Sequence, residues 1–335
     1  MAGLTRLRPM AAYGIGATAL VAARGFCPDG QLLIKRETSN LGGSIKARTA
    51  YFILQDLCQR VGDLAGRTLI ESTSGNLGIA LARLGSDLGL RVICAVDPTV
   101  AEEKLAIIEA AGGEVCVVDP AGCPDFRAAR IAYVKRTAEE LGHFWPNQYA
   151  NEAGMRAHAD STGPEIWAAT GGQVDTVVSA VGTGGTICGL GQFFRQTGRP
   201  VSIVGVEPVG STIFGGSTGP YLSSGSGLDG PSALVRRHGG VIDLFAKVSD
   251  AAAIAACLEF SNREDFDVGL TGAAAALVGR HLASRHPDKR VVVIAADGAD
   301  NYRSALAGNN AGVPADAAQS LVLEQPPWTF ALSPT

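Results

Sequence analysis

The chain has 335 residues, 46% hydrophobic and 18% charged, with a formal net charge of −4. That hydrophobic content excludes a mainly disordered chain, and the absence of any apolar run of bilayer length argues against a membrane span. The mild acidity argues against nucleic acid as the main partner, because binding a phosphate backbone needs clustered Lys and Arg.

At the N-terminus, Arg6 and Arg8 precede an apolar run over 10–23 that has the outline of a secretory signal. Gly14 and Gly16 interrupt it. The seven cysteines (Cys27, Cys58, Cys94, Cys116, Cys123, Cys188 and Cys257) are scattered, with no Cys-x-x-Cys pair and no zinc-type spacing. They read as reduced, mostly buried thiols in a cytoplasmic protein without a metal site. Further on, short Val/Ile-rich runs predict strands over 68–71, 91–96, 115–118, 176–180, 203–206 and 291–296. They are apolar on both faces, as parallel strands covered by helices are. Helical patterns lie over 77–88, 102–111 and 126–141. Strand, turn and helix in this alternation predict a doubly wound α/β fold, whose ligands sit beyond the carboxyl ends of the strands.

Two turns at such positions, and one lysine, carry the chemistry. Asn40-Leu41-Gly42-Gly43-Ser44-Ile45-Lys46 places a lysine at the start of an apolar helix, behind a glycine pair. Glu71-Ser72-Thr73-Ser74-Gly75-Asn76-Leu77 puts small polar residues at a helix N-terminus, where free N–H groups and the helix dipole favour an anion. One Ser or Thr would suffice for an ordinary cap. Val181-Gly182-Thr183-Gly184-Gly185-Thr186 repeats the arrangement with glycines that let a phosphate approach the backbone. It is no Walker loop, and Ile187 stands where a dinucleotide fingerprint has its third glycine. A ribose role for Glu207, at the end of the next strand, keeps a dinucleotide alternative open. Two anion cradles and one special lysine are what pyridoxal phosphate chemistry requires.

With Lys46 in Gly43-Ser44-Ile45-Lys46, Thr73-Ser74-Gly75-Asn76 and Gly182-Thr183-Gly184-Gly185-Thr186, the chain resembles the cysteine synthase/cystathionine β-synthase family of fold-type II pyridoxal phosphate enzymes. Gly14-Ile15-Gly16-Ala17-Thr18-Ala19-Leu20-Val21 and Ser161-Thr162-Gly163-Pro164-Glu165-Ile166-Trp167 extend the likeness, which runs from about residue 14 to about residue 302. The match at 14–21 speaks against the signal-peptide reading. Leu77, Ala150 and the stretches 69–78, 96–98, 147–152 and 210–215 resemble members that use glutamate as second substrate.

The resemblance implies two doubly wound three-layer α/β domains, tryptophan synthase β-like. A large cofactor-binding domain comprises 1–40 and 151–308, a small mobile domain 41–150, and 309–335 form a partly ordered tail. It implies that Lys46 bonds the cofactor and exchanges the substrate's Cα proton. Asn76 holds the ring hydroxyl, and Gly182, Thr183, Gly184, Gly185 and Thr186 hold the phosphate. Ser72, Thr73, Ser74 and Gly75, with Gln148, form the substrate carboxylate site, although Gln148 also suits a tie between two loops. Tyr149 and Arg130 gate or bind the second substrate, Arg130 suiting a dicarboxylate by its fork of donors. A solvated helix arginine is its plain alternative. Gly298 stands where cysteine synthases place a Ser against the ring nitrogen. Asp297 either reaches that nitrogen or caps the turn, and the turn is the favoured reading.

The implied reaction is β-replacement on O-phospho-L-serine or O-acetyl-L-serine through an aminoacrylate, in a homodimer whose small domain closes to keep water out. The amine of L-glutamate then adds, giving N-(2-amino-2-carboxyethyl)-L-glutamate for 2,3-diaminopropionate. Gly182 matches cysteine synthases better than the glutamate-using members. A sulfhydrylase or cystathionine-forming enzyme is therefore the enzymatic alternative, and a catalytically silent amino-acid or partner-binding relative the other.

Overall fold

The computed structural model describes residues 7–120, 122–123, 125–307 and 321–327. Among them the strands are β1 (Leu20–Ala22), β2 (Gln31–Arg36), β3 (Thr68–Ser72), β4 (Arg91–Val96), β5 (Glu114–Val117), β6 (Thr176–Ala180), β7 (Ser202–Pro208), β8 (Leu244–Val248) and β9 (Arg290–Ala295). The α-helices are α1 (Lys46–Val61), α2 (Asn76–Asp87), α3 (Glu102–Ala110), α4 (Phe126–Leu141), α5 (Ala153–Ala157), α6 (Gly163–Ala169), α7 (Gly185–Gln196), α8 (Ala233–His238), α9 (Asp250–Arg263), α10 (Leu270–Arg285) and α11 (Arg303–Ala307). The chain folds as two compact units, Met1–Ile15 with Lys46–Gly154 and Gly16–Ile45 with Met155–Thr335.

In the smaller unit β3, β4 and β5 form a parallel sheet, with Thr68 opposite Arg91 and Ile93 opposite Glu114. Ile70 and Ala95 on one face pack with Val118 and with Val134 and Ala138 of α4. The segment after α4 runs beside β3: Phe144 N–H donates to Thr68 C=O and Ile70 N–H to Phe144 C=O, at 2.9 and 2.8 Å. This register brings the 147–149 loop alongside the end of β3. Residues 7–15 group with this unit, whereas the sequence reading places all of 1–40 with the larger one, where 16–40 do lie. The cause is aromatic packing of Tyr13 edge-on against Tyr51, at 6.3 Å between centroids, and an Arg8–Asp87 ion pair.

The larger unit is a six-stranded sheet in the order β1-β2-β9-β6-β7-β8, antiparallel only between β1 and β2. In β9, Val291 and Val293 face one core with α9 and α10, while Val292 and Ile294 face the other with Ile187, Leu190 and Phe194 of α7. Burial on both faces accounts for the unbroken apolar run. The carboxyl ends of β6, β7 and β9 lead into the loops at 181–184, 209–215 and 296–298. β1, β2 and β8 are absent from the sequence reading. The expected tail at 309–335 lies outside the described residues except at 321–327, where Glu324 exchanges two backbone hydrogen bonds with Phe245 of β8. Among the described residues, no helix is long and apolar enough to cross a membrane.

Candidate active site

In the smaller unit, β3 delivers Ser72 and Thr73, and the chain turns through Ser74 and Gly75 into α2. The N–H groups of Ser74, Gly75, Leu77 and Gly78 make no hydrogen bond among the described residues. Space around Gly75 is open to 4 Å from the position of a Cβ. Four unbonded donors at the start of a helix, next to open space, are an anion cradle. Asn76 is the first residue of α2, and Lys46 the first of α1.

A buried carboxyl anchors this loop from behind. Glu71 accepts the N–H of Ser72 on Oε1 at 2.8 Å and that of Gln148 on Oε2 at 3.1 Å. Complete burial pushes its carboxyl up to about 7 against the pull of those N–H groups. Gln148 Nε2 in turn donates to Ser72 C=O at 3.0 Å, so Gln148 ties two loops together. Asn147 precedes it with φ +54, an uncommon conformation for a residue with a side chain.

Arg130, on α4, is 9% exposed. Its Nη1 lies 3.5 Å from both Ser74 Oγ and Asp97 Oδ2, while its Nε makes no hydrogen bond. It is therefore not a solvated surface arginine. The Ser72 hydroxyl and the Trp145 indole nitrogen are likewise buried, facing the Tyr149 phenol and the Glu71 carboxyl respectively. Burial raises the Tyr149 phenol, with the Arg130 charge opposing.

In the larger unit, β6 ends in Val181 and the chain turns through Gly182, Thr183 and Gly184 into α7. Gly184 has φ +89, and a Cβ there would stand 2.4 Å from Val235 Cγ2, so only glycine fits. Ser232 Oγ fixes the turn by donating to Thr183 C=O at 2.7 Å. Backbone pairing resumes with Cys188 N–H to Gly184 C=O, leaving the N–H groups of Gly184, Gly185, Thr186 and Ile187 unbonded among the described residues. This cradle, with two threonine hydroxyls, fits a phosphate ester.

At the end of β9, Asp297 is buried. It accepts from Thr271 Oγ1 at 3.1 Å, Asn301 Nδ2 at 3.2 Å and Tyr302 Oη at 3.2 Å. The carboxylate thus ties its own turn, through Asn301 and Tyr302, to Thr271 of α10. Ile45, directly before Lys46, donates its N–H to Ala296 C=O at 2.8 Å, and Ser44 bridges to Asp297. The preceding Gly42 and Gly43 have φ of 74° and 75°, which make the turn that delivers the chain there.

The ribose role for Glu207 is corrected. Its buried carboxylate accepts Ile213 N–H at 3.0 Å, Phe214 N–H at 3.2 Å, the Ser211 hydroxyl and Lys247 Nζ. It holds the 211–214 loop and has no lone pair to spare for a sugar. Sequence reasoning missed Glu71 as an anchor, Lys247 as its counterpart in the larger unit, and His158, which touches the glycine-rich loop. Glu71 carried a signal, being a charge at the end of an otherwise apolar strand.

The pattern that defines the family described as "Pyridoxal-phosphate dependent enzyme" matches residues 11–297. Cysteine synthase 3 of Caenorhabditis elegans is 34% identical over 291 residues, covering 84% of this chain and 83% of its own. Cysteine synthase B of Escherichia coli K12 is 32% identical over 296 residues, covering 87% and 93%. The crystal structure of O-ureido-L-serine synthase superposes with a TM-score of 0.82 at 26% identity, covering 94% of this chain and 100% of that one.

Proposed function

Since this chain belongs to the pyridoxal-phosphate-dependent enzymes of the cysteine synthase family, we propose that it carries out β-replacement on O-phospho-L-serine or O-acetyl-L-serine with L-glutamate as nucleophile. The product is N-(2-amino-2-carboxyethyl)-L-glutamate. The chain is a fold-type II, pyridoxal-phosphate-dependent β-replacing transferase.

The residues present fit the cofactor, because the α7 cradle offers unbonded N–H groups and its Gly184 admits no side chain. Gly182, Thr183, Gly184, Gly185 and Thr186 would hold the phosphate, Asn76 the ring hydroxyl, and Lys46 Nζ the covalent bond. When bound, pyridoxal phosphate withdraws electrons from Cα of the amino acid, which acidifies the Cα proton and lets the β substituent leave. Lys46 takes that proton and later returns one. Ser72, Thr73, Ser74 and Gly75 bind the substrate carboxylate, Ser74 and Gly75 through their unbonded N–H groups and Ser72 and Thr73 through their hydroxyls, since their N–H groups are already engaged.

The observation that carries glutamate as the acceptor is Arg130. A buried guanidinium with an unmet Nε, beside Ser74 and Tyr149, suits the distal carboxylate of a dicarboxylic amino acid. Sulfide carries no such group. Purified enzyme is supplied with O-phosphoserine and either glutamate or sulfide, and products are followed by mass spectrometry. The expected result is a glutamate adduct, with Arg130→Ala raising KM for glutamate at least tenfold. Rapid sulfide turnover without any glutamate adduct overturns the acceptor and leaves a sulfhydrylase, as the likeness to cysteine synthases and the match at Gly182 would have it. The proposed assembly is a homodimer acting on free amino acids in the cytoplasm.

A further inference from the structure

His158 is fully buried in the larger unit and has no part in the roles assigned above. It opens a π-helical turn, His158–Thr162, inserted between α5 and α6. Such turns are rare, and they bulge a helix at defined places. α7 packs closely against this turn because Gly189 has no side chain: a Cβ there would stand 2.2 Å from Met155 C=O and 3.0 Å from His158 Cβ. One turn earlier on α7 is Thr186. The result is an imidazole held between two hydroxyls, with Nδ1 at 2.9 Å from Thr162 Oγ1 and Nε2 at 3.3 Å from Thr186 Oγ1.

A neutral imidazole has one N–H donor and one acceptor nitrogen, so two arrangements are open. If Nδ1 carries the proton, Nε2 accepts from Thr186, and that hydroxyl turns its lone pairs toward the mouth of the loop. If Nε2 carries it, Thr162 donates to Nδ1, the imidazole donates to Thr186 Oγ1, and the Thr186 proton is left for another acceptor. A phosphate ester near neutral pH only accepts hydrogen bonds. We propose that His158 is a positioning residue: as the Nε2–H tautomer it orients the Thr186 hydroxyl as a donor to the phosphate bound at the glycine-rich loop. This rests on the cofactor reading above and adds to it a residue outside the loop.

The tautomer is read first, by long-range 1H–15N correlation on holoenzyme labelled with 15N-histidine, the His158 signals being assigned by their loss in His158→Gln. The Nε2–H form is expected. A protonated Nδ1 with bare Nε2 overturns the proposal. Binding is read second, by fluorescence titration of apoenzyme with pyridoxal phosphate and, separately, with pyridoxal. His158→Gln keeps a donor in the Nε2 position and is expected within about threefold of wild type for both ligands. His158→Leu, which removes that donor, is expected to weaken pyridoxal phosphate roughly tenfold while leaving pyridoxal unchanged. Equal losses for the two ligands, or none in His158→Leu, overturn the role. Wild-type apoenzyme that takes up no pyridoxal phosphate at all overturns instead the cofactor assignment of the loop.

Discussion

Glu71 is a carboxyl group cut off from water whose two oxygens hold the N–H groups of Ser72 and Gln148. Its pKa, about 7 in the fold against 4.5 in the open chain, makes it a proton acceptor on folding between those values. Its stabilising contribution is full below pH 4.5 and is lost as pH rises through 7, a change of about 3 kcal/mol for a shift of this size. Urea unfolding at pH 5 and pH 8 is expected to show that loss. In Glu71→Gln the slope disappears, at a constant cost of about 1–2 kcal/mol because the amide nitrogen meets one of the two backbone donors. Gly298 supplies a second residue-scale case. Its φ is −95°, and a Cβ would meet nothing nearer than Asp267 Oδ1 at 3.5 Å. Gly298→Ser is therefore expected to change stability by less than about 0.5 kcal/mol in the same assay.

The helices show how a local device carries a functional side chain. Asp125 caps α4 by accepting from the N–H groups of Arg127 and Ala128 at 2.9 and 3.1 Å. Arg130 stands just over one turn inside. Asp125→Ala is expected to cost about 1 kcal/mol in thermal unfolding and to raise KM for glutamate through fraying of the turn ahead of Arg130. At α7 the constraint is steric. Gly184→Ala collides with Val235 and strains φ, so a loss of about 2 kcal/mol or more is expected, together with weaker pyridoxal phosphate uptake. The span of α4, 126–141, was legible from its pattern, as were six strands. β2 was not, because Gln31, Lys35 and Arg36 leave only a three-residue apolar run in Gln31–Arg36. The fold buries Lys35 by giving its Nζ the Thr18 C=O at 2.5 Å and Glu165 Oε2 at 2.6 Å. β8 is hidden for the same reason: Lys247 reads as solvated until Glu207, on the neighbouring strand, is known to face it.

At the scale of the whole chain, each unit has its own apolar core, and the cysteines divide by depth. Cys27, Cys94, Cys188 and Cys257 are buried, and burial pushes the thiols of Cys94, Cys188 and Cys257 up to about 12. A thiol without accessible thiolate does not attack a disulfide. Ellman's reagent is therefore expected to titrate at most Cys58, Cys116 and Cys123 quickly in the native protein, and all seven after denaturation. More than three fast thiols would mean that the cores open readily.

The sequence by itself determined the alternating α/β plan, the turns that close its strands, and the lysine and two small-residue loops resembling one family of cofactor enzymes. These are local properties, written in hydrophobic period, turn chemistry and residues adjacent along the chain. Only the tertiary structure decided that Glu71 grips the 147–148 loop, that Arg130 is buried with an unmet donor, that Glu207 is consumed by Ser211, Ile213, Phe214 and Lys247, and that His158 leans on Thr186. Each joins residues that packing brings together from separate elements or around a turn, and burial, which sets both proton affinity and the cost of an unpaired group, exists only once the chain has closed on itself.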